Sequence, residues 1–246
     1  MNKNRPIVLI LLGLTISVSF SAHSALVLMG TRFIYNESDR AIPVAVQNYA
    51  DTAYGAQFWI ENTEDTATIP FSVTPSVFTI KPNGGKQVVQ VSKLDDDSFK
   101  KDRESLFTIN VQEIPPVPED DSLSGNVLVM ASRIIVKMMY RPKSIEDGRD
   151  RAEEQVNIKR QGEAWVFKNP TPYYFAFMSI NNDPSLATKA LNRMAPFSQT
   201  QIVLPNTSVS TKNVKFSAID DFGGVRQYSC DVTKNQNQCL WLKETE

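Results

Sequence analysis

Residues 126–142 read NVLVMASRIIVKMMYRP, and this stretch decides the fold. Leu128, Met130, Ile134 and Val136 share one parity, interrupted by Ser132. Val127, Val129, Ala131 and Ile135 share the other, which Arg133, Lys137 and Arg141 continue. Successive side chains of a strand point to opposite faces, so the stretch reads as a strand that is apolar on both. At about fifteen residues it is long against the usual five or six. Such a strand is either covered on both faces, as in the middle of a sandwich, or has an edge reserved for a partner. Residues 114–121, IPPVPEDD, precede it as a stiff and then acidic loop.

Working outward, period-2 segments recur on both sides. Residues 42–46 (IPVAV), 56–60 (AQFWI), 77–80 (VFTI), 87–91 (QVVQV) and 106–111 (LFTINV) come before it. Residues 165–167, 173–180, 201–204, 214–219, 225–232 and 240–242 come after it. Turn residues separate them, including Pro82-Asn83-Gly84-Gly85 and Asp221-Phe222-Gly223-Gly224. Helical periodicity is weak throughout. The pattern predicts an all-β chain of two β-sandwich domains. Residues 143–155, KSIEDGRDRAEEQ, carry no strand pattern and are read as a linker between domains at 25–142 and 156–246.

At the start, Lys3 and Arg5 precede an apolar run at 7–16, and Ala22-His23-Ser24 fits a small-x-small cleavage site. Residues 1–24 therefore read as a secretory signal peptide, too short in its apolar part for a membrane span, with the mature chain starting at about Ala25. The formal charge of −1 leaves no basic excess for nucleic acid. The only histidine, His23, lies in the leader, which removes histidine-dependent catalysis and imidazole metal sites from the mature chain. An exported chain meets an oxidising compartment, so Cys230 and Cys239 are expected to be bonded across a C-terminal hairpin. A redox role is the weaker reading, since they do not form a C-x-x-C. Residues 95–97 and 119–121 are acidic, but they sit in loops without a calcium-loop glycine or an apolar pocket, and read as solvated charge. No G-x-S-x-G elbow or phosphate-cradling loop is present in the sequence, and no cofactor is expected.

Beyond these patterns, a series of short motifs recurs in order along the chain. They are GTRFIY at 30–35, WIEN at 59–62, Thr74-Pro75, DRESLF at 102–107, EIPP at 113–116, KMMYRP at 137–142, NPTPYY at 169–174 and DFGG at 221–224. By these the chain resembles the PapD-like periplasmic chaperones of the chaperone–usher pilus pathway, over nearly the whole mature length. The resemblance implies two immunoglobulin-like domains set like a boomerang, and a periplasmic chaperone rather than an enzyme. Its partners would be pilus subunits, bound one to one, and an outer-membrane usher.

The resemblance also implies residue roles. Arg32 and Lys137 would anchor the C-terminal carboxylate of a subunit. The strand from residue 126 would be donated to a subunit that lacks its last strand, with Leu128, Met130 and Ser132 filling its groove. Ser132 departs from the apolar residue usual there. Glu104, Arg141 and Asp221 match an interdomain salt-bridge triad. Gln57, Thr74, Pro75 and Ile114 match a surface that contacts the usher, where Gly55 replaces a bulkier residue. Cys230–Cys239 matches a second-domain disulfide, and the short 116–126 loop matches the short-loop members. The sequence leaves open whether empty copies cap each other as a dimer. Two other classes were weighed. A pilus subunit or adhesin would need a long alternating N-terminal extension, and Ala25-Leu26-Val27-Leu28 is too short for one. A carbohydrate-active enzyme would need a paired-carboxylate pocket.

Overall fold

The structure, a computed structural model, describes residues 25–63, 69–94, 99–116, 129–205, 211–233 and 239–243. The leader, the acidic stretches 95–97 and 119–121, and Leu128 lie outside the described residues. The chain is almost entirely β. In the first domain, β1 (Leu26–Leu28), β2 (Arg32–Asn36), β3 (Ala41–Asn48), β4 (Tyr54–Asn62), β5 (Phe71–Thr74), β6 (Val77–Ile80), β7 (Gly85–Lys93), β8 (Ser105–Ile114) and β9 (Arg133–Arg141) follow one another. They form two facing sheets, in the orders β1-β3-β7-β5 and β2-β9-β8-β4-β6.

Alternation explains the layering. In β3, Ile42, Val44 and Val46 are buried while Pro43 faces out; in β4, Ala56, Phe58 and Ile60 are buried while Gln57 is exposed. Between the sheets Tyr35, Phe71, Phe99, Phe107 and Tyr140 pack as an aromatic cluster. Tyr35 sends its hydroxyl to the carbonyls of Asp39 and Arg40, so its polar end is satisfied inside the core.

The second domain holds β10 (Asn157–Gln161), β11 (Ala164–Lys168), β12 (Phe177–Ile180), β13 (Gln199–Val203), β14 (Asn213–Ile219), β15 (Val225–Asp231) and β16 (Cys239–Leu242). Its sheets run β10-β11-β13 and β12-β14-β15-β16 around Trp165, Phe167, Phe177, Phe216 and Tyr228. Cys230 and Cys239 are bonded and face each other in the β15–β16 register.

Two sequence expectations change. The regular part of the decisive strand is nine residues, Arg133–Arg141, and residues 129–132 approach it without strand structure. The strand expected at 173–180 runs only over Phe177–Ile180, because Tyr173 and Tyr174 turn to pack at the domain junction. The polar segment 143–155 forms two 3-10 turns, Lys143–Gly148 and Ala152–Gln155, and Ala152 and Glu153 are buried. A third small cluster spans the junction: Leu106 and Met139, with Ile34, from the first domain meet Tyr174 and Ala195 from the second.

Candidate functional site

The inner face of β9 belongs to the core: Met138 and Tyr140 are buried there, and Ile134 and Val136 pack beside them. Its outer face therefore carries Arg133, Ile135, Lys137, Met139 and Arg141, and from Lys137 onward this face meets the second domain. Two groups of charge lie along it.

The first is closed. Arg141 donates from Nε to Glu104 Oε1 at 2.8 Å, and its Nη2 lies 2.7 Å from both Glu104 Oε1 and Asp221 Oδ2. Glu104 and Arg141 are 1% and 5% exposed, so these ions have left water. Further contacts surround the cluster, though Arg141 Nη2 and Asp221 Oδ1 lack an aligned hydrogen bond. Glu104 Oε2 accepts the Tyr174 amide at 2.7 Å, Asp221 Oδ1 lies 3.3 Å from Arg149 Nε, and Arg149 forks onto Glu153 at 2.7 and 2.9 Å. Glu104 and Arg141 come from the first domain and Asp221 from the β14–β15 turn of the second, so the cluster ties the two together. The turn fits closely: Gly223 has φ +86°, and a Cβ there would stand 2.8 Å from Thr31 Oγ1.

The second group is open. β2 runs parallel to β9 and pairs with it only over residues 137–141, with Arg32 opposite Lys137. The two cations are thus side by side where β2 begins. Lys137 Nζ donates to Asn192 O at 2.6 Å and Asn192 Oδ1 at 2.7 Å; Arg32 Nη1 donates to Ile219 O at 3.2 Å. All these acceptors are uncharged and belong to the second domain. A small cavity here is lined by Arg32, Lys137, Asn192 and Arg193 above Met139 and Tyr174. Burial, then the positive charges of Arg32 and Arg193, lower the Lys137 pKa to about 8. Burial, then Arg149, also lowers that of Arg32.

Upstream of this pair β9 has an open side. Residues 133–136 pair with β8, but among the described residues no strand lies on their other side. Ile135 is 56% exposed, and Met130, further upstream, is 77% exposed. Two devices hold this half of β9 on the sheet. Arg133 bonds Asn110 Oδ1 at 2.7 Å and Glu61 Oε1 at 2.8 Å and lies over the Trp59 ring. Glu113 accepts the Ser132 amide at 3.1 Å with one oxygen and the Leu26 amide at 2.9 Å with the other, and its own amide donates to Ser132 O. Ser132 is therefore held against β8, with its side chain at the exposed start of the strand.

The remaining named residues lie around β4, the end of β8 and the β5–β6 turn. Gln57 is exposed on β4, opposite Val77 and Gln112. Ile114 faces Gly55, where a Cβ would come within 3.1 Å of the Ile114 Cβ, which is a steric reason for the glycine. Thr74 and Pro75 form the β5–β6 turn, kept beside β4 by the Phe58 amide donating to Ser76 O at 2.7 Å. Among the described residues no group of His, Cys, Asp or Glu is arranged to hold a metal ion.

Sequence reasoning passed over Glu113 as a participant, and also Arg149, Glu153, Asn192 and Arg193. Opposite charges at i and i+4 were the available sign for Arg149 and Glu153. Asn192 ends a four-residue helical turn, Lys189–Asn192, and carries no local pattern.

Comparison with known proteins supplies the family. Residues 25–146 match the pili and flagellar-assembly chaperone PapD N-terminal domain, and residues 151–230 the pili assembly chaperone PapD C-terminal domain. The chain is 37% identical to the chaperone protein FanE of Escherichia coli, over 87% of this chain and 93% of that one. It is 32% identical to MrkB of Klebsiella pneumoniae, over 83% and 91%. Among solved structures, the YadV chaperone superposes with a TM-score of 0.68 at 27% identity, over 89% of this chain and all of that one. The Escherichia coli chaperone DraB superposes at 0.69 and 25% identity, over 85% and 96%. The chain belongs to the PapD-like family of pilus-assembly chaperones of the chaperone–usher pathway.

Proposed function

We propose that this member of the PapD-like family captures a pilus subunit by adding the subunit's terminal strand to the open side of β9 and binding its C-terminal carboxylate between Arg32 and Lys137. The observation that carries this reading is the parallel register of Arg32 with Lys137 at the point where β2 begins and the free edge of β9 ends. A strand added beside residues 133–136 lies in line with β2. If it runs parallel to β9, its last residue meets the two cations. If it runs antiparallel, its N-terminal ammonium meets them instead, which like charge disfavours. The cations therefore select both the direction and the end of the guest strand. Each charge-assisted hydrogen bond to the carboxylate contributes about 1.5–3 kcal/mol. Backbone pairing along the edge adds affinity, and side chains at alternate positions add specificity.

In this reading Leu128, Met130 and Ser132 present the donated surface, and the small Ser132 calls for a shallow site in the subunit at that point. Glu104, Arg141 and Asp221 fix the angle between the domains, and with it the distance from the cations to the edge. Gln57, Thr74, Pro75 and Ile114 offer a separate surface to an outer-membrane usher, around β4, the end of β8 and the β5–β6 turn. The work is done in the periplasm after removal of residues 1–24, and no catalytic step is involved. Two empty copies pairing through their free β9 edges would form a self-capped dimer.

The test is co-purification from periplasmic extract of cells expressing the pilus operon, with tagged wild type and Lys137→Ala side by side. Wild type should retain exported proteins of subunit size and the variant should lose them. Equal capture by both would mean that the cleft is not the binding site.

A further inference from the structure

Lys137 is half-buried and differs from the buried cations of the junction in what holds it. Arg141 and Arg149 rest on carboxylates, whereas the Lys137 ammonium rests on the carbonyl and the side-chain oxygen of one residue, Asn192. An ammonium has three N–H donors, and Asn192 occupies two of them. The charged groups that face it are both cations: Arg32 from β2 and Arg193 from the second domain. Asn192 is in turn oriented by its own Nδ2, which donates to Phe177 O at 3.3 Å on β12, so Oδ1 is the atom left to turn toward Lys137. Arg193, next along the chain, reaches back to the Thr63 carbonyl at 2.7 Å and closes the rim of the cavity.

We infer that Asn192 is a positioning residue for carboxylate capture: it holds the Lys137 ammonium in place with neutral oxygens, so that the third N–H and the full positive charge stay available to the guest. A carboxylate at the same position would hold the lysine as well and cancel the charge. An amide is the side chain of that shape that orients without neutralising. The inference rests on the carboxylate-anchor reading above and adds a specificity determinant from the second domain. It also gives the second domain a direct part in recognition, beyond carrying Asp221.

The experiment uses the full mature chain and the peptide N-acetyl-Val-Ala-Val with a free C-terminal carboxylate, beside the same peptide amidated. Binding is read by calorimetry. The titration of Lys137 is read from its side-chain NMR signals, and thermal melting reports the fold. In wild type the acid peptide should bind at least about tenfold more tightly than the amide. Asn192→Asp should melt no lower than wild type, raise the Lys137 titration well above 8, and erase the preference for acid over amide. Asn192→Ala, which keeps the backbone carbonyl, should keep part of the preference and serves if the aspartate variant misfolds. If Asn192→Asp and Asn192→Ala both discriminate acid from amide as well as wild type does, Asn192 is only a tie between domains and the inference is overturned. If wild type itself shows no preference, the anchor reading fails, and this inference with it.

Discussion

Two cations, Arg141 buried and Lys137 half-buried, sit four residues apart on the outer face of one strand, and they are treated in opposite ways. Arg141 is enclosed by Glu104 and Asp221, with Glu104 Oε2 accepting the Tyr174 amide and Asp221 Oδ1 3.3 Å from Arg149 Nε. Lys137 is enclosed by neutral oxygens and by more positive charge. Moving an ion out of water costs several kcal/mol, which a counter-charge together with hydrogen bonds can offset. Arg141 has its counter-charge within the chain. Among the described residues no carboxylate faces Lys137, while Arg32 feels Asp221, Glu104 and Glu153. Burial alone marks neither site as functional; what differs is whether the charge has been compensated.

The largest effect should come from breaking the closed cluster. Arg141→Ala strands Glu104, at 1% exposure, without its partner, and should cost about 3–5 kcal/mol in urea unfolding of the purified chain. A loss below about 1 kcal/mol would mean that the cluster is solvated in practice and that the contrast with Lys137 is overstated.

Breaking the open site should do the reverse. Lys137→Met removes an ion that has no counter-charge, so stability should hold or rise while affinity for a subunit falls by about 2 kcal/mol or more. Measuring melting and subunit binding on the same preparation separates the two. A variant that loses both equally would place Lys137 in the structural class.

A smaller effect should follow pH. Because the folded pKa of Lys137 is depressed to about 8 from 10.5, the folded chain binds fewer protons than the unfolded chain between those values. The contribution of Lys137 to stability therefore increases as pH rises through that window and is least favourable below it. Subunit affinity should move oppositely, weakening from pH 7 to pH 9 as the ammonium is lost. Flat affinity over that range would show that Arg32 alone holds the carboxylate.

The smallest effect is expected at the solvent-facing network. Arg133 has a side chain 37% exposed and pairs with Glu61 at the surface, so Arg133→Ala should cost at most about 1 kcal/mol. It should loosen the free edge of β9 more than it lowers global stability, read as faster hydrogen exchange of residues 133–136.

How much of this was legible beforehand depends on the range of the interaction. Alternation within β3, β4 and β7 is local, and the sequence displays it directly. The approach to β9 misled, because apolar alternation at 126–132 looks the same whether or not a neighbouring strand is present to pair with it. Residues 143–155 read as a strand-free linker, and their buried ion pair had no sign in composition. Arg149 and Glu153 are buried because they satisfy each other, and composition counts both as surface charge. The Arg32–Lys137 pair came from family resemblance; its residues are far apart in sequence and meet only through a parallel register. Asn192 had no sign at all, since its role depends on two domains meeting.

The most direct measurement is residue-resolved hydrogen exchange of β9 in the free chain and in its complex with a subunit. If a guest strand pairs along the open side and ends at Arg32 and Lys137, the amides of residues 133–136 not bonded to β8 should become protected on binding. Those of residues 138–141, already paired with β2, should change little. Protection that is unchanged at 133–136, or that appears instead around Gln57 and Ile114, would contradict the account.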